Sequence, residues 1–133
     1  MPSLPFVGQK NYSTLSTKAF VLRKMNRAED ASEVMSEAID LPSTTAFQIH
    51  AYARQLIAAG KKKEAFDIFK MNYDRFKAAW PTNVGMARGH SALGEYEKAI
   101  PYAEKAFAEA PDQLNKTSME SAIKMLKEGK DIN

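Results

Sequence analysis

The sequence predicts an all-α fold, an α-solenoid of three antiparallel helix pairs closed by a C-terminal capping helix. Three observations carry this. A spacing of 34 residues recurs in three columns: Ala19, Ala53 and Ala87; Asn26, Gly60 and Gly94; Ala31, Ala65 and Ala99. The middle column puts a residue that tolerates left-handed backbone between two helical patterns. The outer columns put alanine at mid-helix, where neighbouring helices must approach closely. A larger side chain there would push them apart at a cost of roughly 1–3 kcal/mol.

The elements follow in order. Residues 1–11 hold two prolines and a glycine and read as an irregular arm. Leu4, Phe6 and Val7 are too apolar for a free tail. They are expected to dock on the first unit or on a domain beyond this chain. The three units are expected over about 12–44, 45–79 and 80–112. In the second, Thr45 with Gln48 forms a capping-box pattern. Ile49, Tyr52, Ala53, Leu56 and Ile57 then recur at helical spacing, and Gly60 ends the helix. Ala65, Ile68, Phe69 and Tyr73 form the next stripe. In the third unit, Pro101 falls inside a predicted helix and is expected to bend it. A helix over about 113–128 would place Leu114, Met119, Ala122, Ile123 and Leu126 on one stripe and cap the stack. Residues 129–133 form a tail. A two-helix unit cannot bury both its faces, and about three stacked units make a continuous core.

Composition excludes several classes. The 133 residues include no cysteine, so there is no disulfide framework, thiolate zinc site or Cys nucleophile. Lys and Arg exceed Asp and Glu by 19 to 16, too small an excess to argue for a nucleic-acid or membrane partner. The N-terminus lacks the basic start and apolar stretch of a signal peptide. No Gly-rich phosphate loop, nucleophile elbow or metal-ligand spacing occurs, so the reading is non-enzymatic, without metal or cofactor. Lys61-Lys62-Lys63 reads as a solvated turn. The methionines Met25, Met35, Met71, Met86, Met119 and Met125 read as core. His90 falls in a packing column and reads as a core or boundary histidine with one hydrogen bond. Asn11-Tyr12-Ser13 fits the glycosylation pattern but has no secretory context here.

The period and the helix-pair pattern resemble the tetratricopeptide repeat over about residues 12–128. The third unit keeps Gly94, Tyr96, Ala99, Ala106 and Pro111; the second keeps Ala53, Gly60, Ala65 and Phe69; the first keeps Ala19, Ala31 and Ala38. The fourth position, Trp in the family, holds Leu15, Ile49 and Asn83; Asn72 and His90 replace the family's Ala and Tyr. The resemblance implies a right-handed solenoid whose first helices line a concave groove. It places Ser13, Ser16, Phe20, Arg23 and Lys24 of the first unit, Phe47, His50, Arg54, Ile57 and Ala58 of the second, and Val84, Arg88, Ser91 and Ala92 of the third on that groove. The columns hold cations and aromatics and no acid, so an acidic and apolar peptide segment is the expected ligand. The clamp with which some members grip a C-terminal carboxylate is missing, since Ser16 and Phe20 stand where its Lys and Asn would.

A narrower resemblance concerns Pro111–Lys116 and Met125–Ile132. They look like the repeat-containing C-terminal part of exported bacterial proteins with a β-rich N-terminal domain. That likeness implies a fragment of a periplasmic or exported parent; without it the expected compartment is cytoplasmic. Two functions follow: a protein-interaction scaffold, or an assembly module that packs on a missing domain or on its own copy.

Overall fold

The structure, a computed structural model, describes residues 10–77 and 79–133. These form seven helices and no strand: α1 Tyr12–Lys24, α2 Ala28–Asp40, α3 Ala46–Ala58, α4 Lys62–Arg75, α5 Trp80–Ala92, α6 Tyr96–Glu109 and α7 Gln113–Lys127. The odd helices α1, α3 and α5 start at 12, 46 and 80, and α2, α4 and α6 start at 28, 62 and 96, so both series step by 34. Leu4, Phe6 and Val7 lie outside the described residues. Contacts divide the chain into two compact units, one ending at Gln48 and the other Ile49–Asn133, with the divide inside α3.

The turn column explains why each pair breaks where it does. Asn26, Gly60 and Gly94 have φ of 61°, 81° and 76°. At Gly60 its N–H donates to the Ile57 carbonyl (2.9 Å) and the Lys61 N–H donates to the Leu56 carbonyl (2.8 Å). The same pair of bonds follows Asn26 and Gly94. This left-handed cap satisfies carbonyls that the helix end would orphan.

In the first unit α1 packs on α2 through Leu15, Ala19, Leu22, Ala31, Met35, Ala38 and Ile39. Asn11, read from the sequence as part of the arm, is instead the N-cap of α1. Its Oδ1 accepts from the Thr14 N–H at 2.9 Å, and Thr14 Oγ1 accepts from the Asn11 N–H at 3.2 Å. Thr45 and Gln48 open α3 with the same reciprocal pair, at 2.9 and 3.2 Å. Buried Thr44 donates to the Ala38 carbonyl near the end of α2.

In the second unit Ala53, Leu56, Ala65 and Phe69 join α3 to α4. A further core joins α5, α6 and α7 through Val84, Ala87, Ala99, Ala103, Ala106, Met119, Ala122 and Leu126. Trp80, Tyr96 and Ile132 pack against its edge. All six alanines of the two outer columns are at most 1% exposed, which is where close helix approach requires them to be. Helix α5 is buried on nearly every side: of its thirteen residues, Pro81 to Ala87 and Gly89 to Ala92 are covered. Its small residues allow this. A Cβ on Gly85 would stand 2.7 Å from Phe69 Cδ1, and one on Gly89 would stand 3.1 Å from Phe66 Cδ2. Glycine is what lets α4 press its phenyl rings against the α5 backbone.

Two expectations need correction. Leu114 is 80% exposed. It precedes Met119 by five residues, about 140° round a helix, so it leaves the stripe. Met25 is 58% exposed and stands at the C-cap of α1, past the end of its buried stripe of Leu15, Ala19 and Leu22. Helix α6 runs unbroken from Tyr96 to Glu109 with Pro101 inside it.

Candidate functional site

His50 and Arg54 lie four residues apart on α3 and therefore share a face. Arg88 reaches the same place from α5: its charge and that of Arg54 both act on His50. Against His50 lies the ring of Phe69 from α4. It meets the His50 imidazole edge-on at 5.3 Å between centroids and 63°. Gly85 leaves the room, since a Cβ there would come within 3.5 Å of His50 Nδ1.

The electrostatics follow from this geometry. Burial, then Arg88, then Arg54 push His50 down to about 4, so its imidazole is neutral at neutral pH. Burial, then Arg54, lower the Arg88 guanidinium, and Asp131 offsets part of that. Two buried nitrogens here, His50 Nδ1 and Arg88 Nε, have no hydrogen-bond partner. Buried polar atoms are ordinarily satisfied, and each orphan costs about 1–3 kcal/mol. Arg54 and Arg88 form no ion pair among the described residues.

The far end of this face is already covered. The Ser91 hydroxyl donates to Asp131 Oδ1 at 2.6 Å and accepts from the Ile132 N–H at 3.0 Å. Asn133 Nδ2 donates to the Arg88 carbonyl at 2.9 Å. Burial pushes the Asp131 carboxyl up, but the hydrogen bonds from Ser91 and Asn133 and the charge of Lys62 outweigh it and hold it below its ordinary value.

The remaining sequence-predicted residues fall elsewhere. Phe20 is 55% exposed on α1, with the Lys24 ammonium 5.4 Å above its ring. Arg23 is exposed on the same helix. Phe47, in the first turn of α3, is 62% exposed. Ile57 is half-buried against the core of Ala53, Leu56, Ala65 and Phe69. Val84 does not line a surface: it is 7% exposed within the α5–α7 core. Ser91 and Ala92 are buried as well, so of the expected α5 columns only Arg88 stays partly open.

A concavity of about 470 Å³ lies elsewhere, lined by Tyr73, His90, Lys98, Pro101, Tyr102 and Lys105. His90 stacks on Tyr102 (5.7 Å, 19°), meets Phe66 edge-on and shares a hydrogen bond with Glu95 at 3.1 Å. None of its six lining residues holds a buried polar side-chain atom without a partner.

Sequence reasoning missed Phe69 and Gly85 as the floor of the face, and Asp131 and Asn133 as its cover. The Gly85-x-x-x-Gly89 spacing was the available signal for the floor. Nothing in Lys130-Asp131-Ile132-Asn133 signals a docked segment. Among the described residues no group of three or more His, Cys, Asp or Glu is placed to hold a metal ion, and no helix is long and apolar enough to cross a membrane. Comparison with family models, curated proteins and solved structures gives no match.

Proposed function

We propose that the chain is a tetratricopeptide-like, right-handed solenoid that works as a non-enzymatic protein-interaction scaffold. Its His50–Arg54–Arg88 face takes a peptide segment with acidic and apolar residues. The 34-residue step of the helix starts and the buried alanine columns support the solenoid. The observation that carries the binding role is the pair of buried, unpartnered nitrogens, His50 Nδ1 and Arg88 Nε, beside Arg54, whose charge acts on both groups. A carboxylate is the complement: it accepts from guanidinium N–H groups, relieves the Arg54–Arg88 repulsion and tolerates a neutral imidazole as neighbour.

The test is an array of synthetic acidic and apolar peptides, followed by anisotropy titration of the strongest. The double variant Arg54→Glu, Arg88→Glu should weaken binding at least about tenfold, as loss of charge-assisted hydrogen bonds implies. Unchanged binding removes this face from the proposal.

A second reading, an assembly module packing on another domain or a second copy, is favoured by one observation. Phe20, Val21 and Met25 are 55%, 48% and 58% exposed along α1. Sedimentation across a concentration series separates it: a monomer throughout argues against self-association.

A further inference from the structure

We infer that the α5 surface from Arg88 to Ala92 recognises an extended acidic–aliphatic–amide segment, and that Asp131-Ile132-Asn133 of this chain is its resident occupant. The inference deepens the proposed function and rests on it for the claim that an outside peptide competes there.

Four contacts define the recognition. Ser91 is 1% exposed and spends both its donor and its acceptor capacity on this one segment, on the Asp131 carboxylate and the Ile132 N–H. Ile132 packs its side chain against the α5–α7 core. Asn133 closes the contact on the second lone pair of a helix carbonyl, that of Arg88. Asp131 is also braced by Asn133, whose N–H and side-chain amide donate to Oδ1 at 3.1 and 2.8 Å. An acid, an aliphatic residue and an amide are therefore each read by a different feature of α5.

The occupant fills only part of the site. It uses Ser91 and the Arg88 carbonyl, and leaves His50 Nδ1 and Arg88 Nε without partners. An outside segment with the same acid–aliphatic–amide order and one further carboxylate would make the same bonds and reach the Arg88 guanidinium too. The tail holds its place through high effective concentration, because it is tethered to α7 by a short turn. Such a ligand must displace it, so the tail sets a threshold on binding.

The probe is a synthetic peptide of residues Glu128–Asn133, added to the 133-residue chain and followed by amide NMR shifts. In Asp131→Ala, the resident segment loses the bond from Ser91 to its carboxylate and the bracing by Asn133, and the peptide should shift the Arg88–Ala92 amides saturably, on the order of millimolar Kd. The native chain should bind it at least about tenfold more weakly, because its own tail is in place. Ser91→Ala should not bind it. Ile132→Ala, which removes the segment's packing on the α5–α7 core, gives a second released form in case the Asp131→Ala variant loses its fold. Absence of saturable shifts in a folded released variant, or equal shifts in the native chain, overturns the inference. Arg54 takes no part in the tail contact. A peptide array without hits therefore defeats the partner reading alone, and a silent tail peptide defeats this inference alone.

Discussion

His50 shows how a single side chain can report on its surroundings. It releases its proton near pH 4 in the folded chain, against 6.5 ordinarily. Between those values the unfolded chain binds more protons, so stability rises with pH across the window. The contribution is complete above about pH 6.5 and is lost as pH falls toward about 4, amounting to roughly 3 kcal/mol in total. Urea titrations at pH 7 and pH 5 should show this loss in the native chain and a smaller one in His50→Gln. Equal slopes in the two proteins would mean the imidazole is hydrated. A bound carboxylate would raise the same group, so peptide affinity should also increase as pH falls through that window. His90 sits differently. It shares its hydrogen bond with Glu95 and stacks on Tyr102, which is the single-bond boundary histidine its sequence column implies.

At the scale of elements, the contact of α4 with α5 decides how tightly the second unit closes. Gly85→Ala places a methyl 2.7 Å from Phe69 Cδ1, so the ring must shift. The expected loss is about 1–3 kcal/mol by chemical denaturation. Phe69→Leu in the Gly85→Ala background should recover part of it, because the two positions share one contact and their effects do not add. Additive losses would place the strain elsewhere. Helix limits were legible in the sequence because they rest on local chemistry: Thr45 with Gln48, and the Asn26, Gly60 and Gly94 column. The burial of α5 was not. Its residues are small and mixed on every face, so no apolar stripe marks an inside. Val84, Ser91 and Ala92 were therefore read as surface. The His50–Arg54 pair could be read from its i, i+4 spacing, but the floor under it depends on Phe69, which arrives from another helix.

Across the whole molecule, coverage is uneven. In the second unit α5 packs against α4 and α6, and the tail bonds to Ser91 and Arg88. In the first unit α1 leaves Phe20, Val21, Arg23, Lys24 and Met25 exposed. Native-state hydrogen exchange should therefore find α5 amides opening at the highest free energies. Those of α1 should be at least about tenfold less protected. Equal protection in the two helices would mean that the chain opens only as a whole. The all-α class and the 34-residue step were accessible from composition and spacing. The division inside α3 was not, because an unbroken repeat gives no sign of where cohesion changes.

The single tryptophan, Trp80, packs on the α5–α7 core. Its emission is thus a local gauge of the second unit, while circular dichroism sums over all seven helices. A fluorescence melt and a dichroism melt coincide only if both units unfold together. The chain thus carries its own optical test of cooperativity, with no label attached.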